Sequence, residues 1–138
     1  MRFLLDTNVL SELRKMAPSP KVLDWFGSIP NEHLFISSIT LGEISHGINK
    51  LPEGGKRNDL IVWFDKMEES FRYQIYCIDR EVAIKWGELM ADSAKSGIKL
   101  PVVDGLIAAT AYIHGAILVT RNAKDFESVP IQILNPWL

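Results

Sequence analysis

Leu100–Val119 is a mostly apolar stretch of twenty residues, about the length that crosses a bilayer, yet Asp104 stands near its start and Gly115 near its end. A carboxylate at the centre of a membrane helix costs about 2.5–3.5 kcal/mol and is rarely retained without a purpose. Pro101, Gly105 and His114 interrupt the run as well. Gly115 divides it into a helix-like half, Asp104–His114, and a strand-like half, Ala116–Val119. A buried helix running into a buried strand explains the pattern better than a membrane span. The expectation is a soluble, cytoplasmic protein with no membrane association. Asp6 closes the first apolar run after Leu5, so no secretory leader is expected.

The rest of the chain alternates in the same way. Phe3–Leu5 is a continuous apolar run, the pattern of a strand covered on both faces. Val9, Leu10 and Leu13 then recur at helical spacing. Pro18 and Pro20 end that helix and lead into a second, with Val22, Leu23, Trp25 and Phe26 on its apolar face. Leu34–Ile36 reads as a second strand. Ser37, Ser38 and Thr40 are N-cap candidates for a helix carrying Leu41, Ile44, Ile48 and Leu51 along one side. Residues 52–56 form a Pro/Gly breaker, and a helix over 56–71 turns Leu60, Trp63, Phe64 and Met67 inward. A third strand is expected over 74–78. Asp79 caps a long helix with Val82, Trp86, Leu89 and Met90 on one face, ending at Ser96 and Gly97. A polar turn over 120–126 and a last strand over 131–134 follow. This alternation predicts one α/β domain over residues 1–138 with a mainly parallel sheet. In such sheets the reactive crevice lies outside the carboxyl ends of the strands.

Those strand ends carry unusual residues. The first strand runs into Asp6, Thr7 and Asn8; the late strand runs into Thr120, Arg121 and Asn122, with Asp125 beyond. Asp104 lies in the most apolar part of the chain. Glu43 has Thr40 and Gly47 as small neighbours on its helical face. Taken singly, Asp6 and Asp104 fit helix N-caps, Glu43 a solvated helix position and Asp125 a turn. Taken together, they are acids that one crevice can collect. Gathered carboxylates repel one another unless protons or cations compensate. Oxygen-only donors suit Mg²⁺ or Mn²⁺ rather than zinc.

Other chemistries fail on composition or spacing. Cys77 is the only cysteine, which excludes an internal disulfide and a cysteine zinc site. Gly42 to Gly47 has the glycine spacing of a phosphate-binding loop, but Ile48 and Asn49 stand where Lys and Ser or Thr are needed. Ser45 is one residue too late for a nucleophile elbow, and there is no dinucleotide fingerprint. His33, His46 and His114 form no i, i+4 pair; only His46, three residues from Glu43, stands near a candidate acid. The net charge of −2 argues against a protein that grips nucleic acid by bulk charge.

Leu5–Glu12, Gly42–Ile44, the run from Asp104 to Ala111 and the run from Thr120 to Phe126 resemble the PIN domain, closest to VapC-type toxins of toxin–antitoxin pairs and their FitB-like branch. The resemblance runs in order from about residue 3 to about residue 134. Residues 52–78 match nothing recognisable and rest on pattern alone.

The resemblance implies a Rossmann-like three-layer α/β fold and a Mg²⁺- or Mn²⁺-dependent endoribonuclease. Position by position, its acidic quartet falls on Asp6, Glu43, Asp104 and Asp125, as catalytic and metal-holding residues. Thr7, Asn8, Thr120 and Asn122 fall on supporting positions, with Thr120 orienting carboxylates by hydrogen bonding. A cognate antitoxin of the VapB or FitA kind, a homodimer and a larger hetero-oligomer with the antitoxin are implied partners. Val9, Leu10, Leu13, Trp25, Phe26 and the face from Leu60 to Met67 offer a groove or dimer interface, or simply core. Two alternatives stay open. One is an inert PIN-like binding module; the other is a haloacid-dehalogenase-like phosphatase using Asp6, against which Asn8 stands where a second Asp is wanted. Setting the four acids aside leaves the remainder slightly positive. Arg121, Lys124, Lys95 and Lys99, with Lys85, are then candidates to steer an RNA backbone.

Overall fold

The computed structural model describes residues 1–138. Five strands form one parallel sheet: β1 (Phe3–Leu5), β2 (Leu34–Ser37), β3 (Ile75–Tyr76), β4 (Ile117–Val119) and β5 (Ile133–Leu134), in the order β3-β2-β1-β4-β5. Six helices connect them: α1 (Thr7–Leu13), α2 (Pro20–Ser28), α3 (Ser38–Asn49), α4 (Gly55–Ser70), α5 (Arg80–Lys95) and α6 (Val102–His114). β1 is central. From it the chain builds outward to β2 on one side and later to β4 on the other, so the strand order reverses beside β1. Parallel sheets of this kind open a crevice at that reversal.

Alternation along the strands makes the three layers. Leu4, Phe35 and Leu118 pack toward α5 and α6, whereas Phe3, Leu5, Ile36 and Val119 pack toward the layer of α1 to α4. Both faces of the central strands are therefore apolar, as their unbroken hydrophobic runs required. No helix is long and apolar enough to cross a membrane.

The membrane-like stretch resolves into α6 and β4, turned by Gly115 in the left-handed conformation (φ 60°, ψ 32°). The α6 boundary differs from expectation. Asp104 is not its N-cap: Pro101 occupies that position and the helix starts at Val102, which places Asp104 in the first turn. Proline fixes φ and has no N–H to leave unpaired, so it starts a helix well. α1 stops at Leu13, before both prolines, and Pro20 is the first residue of α2 rather than a terminator of α1. The outer strands β3 and β5 are two residues each, shorter than their apolar runs.

Candidate active site

Each acid reaches the crevice from a different element. Asp6 follows β1 directly, and its backbone N–H donates to the Val119 carbonyl at 2.9 Å, which pins it where β1 and β4 end. It serves as N-cap and crevice acid at once: Oδ1 accepts from the Thr7 backbone N–H at 2.8 Å. Oδ2 accepts from the Thr120 hydroxyl at 2.8 Å and from Asn8 Nδ2 at 3.4 Å. Glu43 projects from α3, held by Thr7, whose hydroxyl donates to Oε1 at 2.7 Å. Asp104 comes from the first turn of α6.

These three acids line one cleft of about 420 Å³ together with Thr7, Asn8 and Asn122. Asp125 stands on the exposed short helix after β4 and does not line the cleft, but its charge reaches both Asp6 and Asp104. Burial holds the Asp104 carboxyl up at about 6, and the neighbouring charges of Asp6, Asp125 and Glu43 push the same way. Burial also raises Asp6, against the hydrogen bonds from Thr120 and Thr7 that favour its charged form. Clustered, desolvated carboxylates that hold their protons more tightly than usual are a mark of functional sites.

The supporting residues form one network. The Thr120 hydroxyl, fully buried, donates to Asp6 and accepts from Asn8 Nδ2 at 3.2 Å and from the Asn122 backbone N–H at 3.1 Å. Asn8 Oδ1 accepts from the Arg121 backbone N–H at 3.2 Å.

The cleft also contains residues that sequence reasoning missed: Ser11, Glu12, Lys15 and Trp137. Glu12 is buried and accepts from Lys15 Nζ and the Ser19 backbone N–H, both at 2.8 Å. The Lys15 bond, then the Ser19 bond, hold its carboxyl below the usual range. A signal was present: Thr7 and Ser11, and Asn8 and Glu12, are i, i+4 pairs that extend the strand-end motif along α1. Of the proposed RNA-steering cations only Arg121 lines the cleft; Lys85, Lys95, Lys99 and Lys124 do not. Lys85 pairs instead with Glu88 at 2.7 Å. His46 is exposed and outside the cleft.

No group of three or more His, Cys, Asp or Glu side chains is gathered closely enough to hold one metal ion jointly. Hydrogen bonds explain the spacing, since Thr120 fixes Asp6 while Thr7 draws Glu43 aside. The donor chemistry still fits a hydrated hard cation, because Mg²⁺ keeps several waters and takes only one or two carboxylates directly. The mutual repulsion recorded in Asp104 is the charge such a cation offsets.

A second cavity, about 530 Å³ and apolar, lies between α2 and α4 and is lined by Leu10, Leu13, Leu23, Phe26, Trp63 and Met67 among others. Four residues expected there do not line it, and Leu60 and Phe64 pack on the core instead. Val9 is fully buried in the core, and Trp25 packs edge-on against Phe3 with ring centroids 5.4 Å apart.

A PIN-domain family profile matches residues 3–132. The chain is 34% identical to the VapC ribonuclease Y4jK of Sinorhizobium fredii, over 97% of this chain and 96% of that protein. It is 33% identical to the toxin FitB of Neisseria gonorrhoeae over 97% of each. The crystal structure of FitAcB from Neisseria gonorrhoeae superposes with a TM-score of 0.91 at 32% identity, covering 98% of both chains. With its acids at the strand reversal and this similarity along nearly its whole length, the chain belongs to the PIN-domain family, among its VapC- and FitB-type members.

Proposed function

We propose that this protein is a Mg²⁺- or Mn²⁺-dependent endoribonuclease, the cytoplasmic toxin of a toxin–antitoxin pair. One observation carries the reading: Asp6, Glu43 and Asp104, from three separate elements, line a single cleft at the strand reversal. The similarity to a VapC ribonuclease and to FitB supports it.

Asp6, Asp104 and Glu43 would hold a hydrated ion, one or two of them directly and the rest through its waters, with Asp125 adding charge through solvent. When bound, the ion supplies a Lewis acid for the phosphodiester oxygens and charge that offsets the acids. Thr120 and Asn8 orient Asp6, and the Thr120 bond favours its charged form against burial. Asp104, whose carboxyl burial and the neighbouring acids hold up at about 6 in the metal-free cleft, is the acid whose charge an ion there would relieve most. The phosphatase alternative fits less well. Asn8 replaces the second acid, and both Asp6 oxygens are occupied by donors, which suits an anchored anion better than a nucleophile.

The apolar cavity is the surface on which an amphipathic segment of the antitoxin would lie, and its edge runs close to the cleft through Leu13 of α1. A homodimer is part of the same reading, measurable by light scattering. Incubation of purified protein with RNA and Mg²⁺ tests the activity. Cleavage that stops with EDTA and resumes with excess Mg²⁺ is expected; cleavage indifferent to EDTA contradicts the ion dependence, and no cleavage contradicts the activity.

A further inference from the structure

The acidic cleft has one apolar lining residue, Trp137. The other tryptophans face elsewhere: Trp25 meets Phe3, Trp63 lines the apolar cavity, and Trp86 lies against Gly105. Trp137 is only partly buried, with part of the indole against the core and part facing carboxylates. Its place is fixed by a chain of hydrogen bonds. The Trp137 backbone N–H donates to Asn135 Oδ1 at 2.9 Å, and Asn135 Nδ2 donates to the Arg121 carbonyl at 3.3 Å. Arg121 in turn donates its backbone N–H to Asn8 Oδ1, and Asn8 reaches Asp6. The backbone at Trp137 is thereby linked to the central acid. The Arg121 guanidinium sits 5.3 Å from the indole centroid, in the same cleft and within the field of Glu12.

An acidic cleft repels the backbone of its own substrate, so something other than bulk charge must hold the RNA beside it. An aromatic face and a guanidinium plane do this by stacking on a base, which works for any base but only for one that is unpaired. In a duplex the base faces are already covered by their neighbours. Resting on the ribonuclease reading above, we propose that the Trp137–Arg121 pair is the platform on which an unpaired nucleobase next to the cleaved phosphate stacks.

The test uses a single-stranded oligoribonucleotide that the wild-type protein cleaves, and a series in which one nucleotide at a time near the cut lacks its base. Replacing one particular base should raise KM about tenfold for the wild-type protein. Trp137→Leu should raise KM by a similar factor on the intact RNA and be insensitive to that missing base. Trp137→Phe, which keeps a smaller ring, should raise KM less than Trp137→Leu on the intact RNA and remain sensitive to the missing base. If Trp137→Leu proves unfolded by circular dichroism, the wild-type and Trp137→Phe responses to the abasic series decide alone. Equal KM for every abasic RNA with wild-type protein overturns the platform and leaves the ribonuclease reading standing. Variant and abasic penalties that simply multiply overturn it as well, since they show a structural role for the indole. Absence of cleavage of any RNA overturns the ribonuclease reading and this one with it.

Discussion

Thr120 donates its hydroxyl proton to Asp6 Oδ2 at 2.8 Å, joining the ends of β1 and β4 across 114 residues of chain. Because the hydroxyl is fully buried and also accepts from Asn8 and Asn122, it sets the orientation of the central acid and of both flanking amides. Thr120→Val keeps the shape and removes the hydroxyl. Loss of a hydrogen bond to a charged group costs about 1.5–3 kcal/mol. The variant should melt several degrees lower and cleave RNA at least about tenfold more slowly, while Thr120→Ser stays near wild type. Thermal unfolding and initial cleavage rates check both.

Asp104 depends on close packing behind it. A Cβ on Gly105 would stand 2.8 Å from Met90 Sδ and 3.0 Å from Trp86 Cδ1, so α5 seats the first turn of α6 against two large side chains. Met90 can swing aside, but the indole of Trp86 also donates to the Val102 carbonyl at 3.3 Å and is held. Gly105→Val should destabilise by about 1–3 kcal/mol and lower activity by displacing Asp104, with Gly105→Ala intermediate. Equal melting temperatures for wild type and Gly105→Val would contradict this packing.

The raised carboxyl of Asp104 predicts a pH signature in metal-free protein. The folded state binds this proton more tightly than the unfolded chain, so between the ordinary 3.8 and about 6 stability falls as pH rises, and above about 6 the full penalty is in place. Burial lowers His114 and gives the opposite slope, but His114 is common to wild type and Asp104→Asn and largely cancels in their difference. Asp104→Asn should therefore melt higher than wild type at about pH 7, with the gap closing as pH falls toward about 4. Differential scanning calorimetry reads this directly. A gap independent of pH would mean that Asp104 is not held in a desolvated, acidic pocket.

The apolar cavity gives a prediction of its own. Leu23 lines it and is 44% exposed, so a charge there spoils the groove without opening the core. Leu23→Asp should weaken the antitoxin complex, by about tenfold or more, and RNA cleavage should then continue in the presence of antitoxin. Unchanged inhibition would place the antitoxin elsewhere.

Much of the fold was legible because its central strands are buried on both faces. Phe3–Leu5 and Ile117–Val119 read as continuous apolar runs, and their carboxyl ends told where to look for acids. Asp6, Glu43 and Asp104 were found as residue types out of keeping with their surroundings. What was not legible depended on tertiary placement. Pro101 against Asp104 as a helix cap is a contest of one residue pair. Lys95 and Lys99 are as basic as Arg121, yet only Arg121 is drawn into the cleft, by the bond its backbone makes to Asn8. Trp137 lies beyond the last strand and reaches the site because β5 pairs beside β4.

Cleavage of RNA by Asp104→Asn tests the central claim most directly. The substitution keeps size and removes the charge that the cleft concentrates, and removing repulsion leaves folding intact or improved. With Mg²⁺ or Mn²⁺ present, wild-type protein should cut RNA and Asp104→Asn, shown folded by circular dichroism, should be slower by about a hundredfold or more. Cleavage by the folded variant at the wild-type rate would place the chemistry outside this cleft.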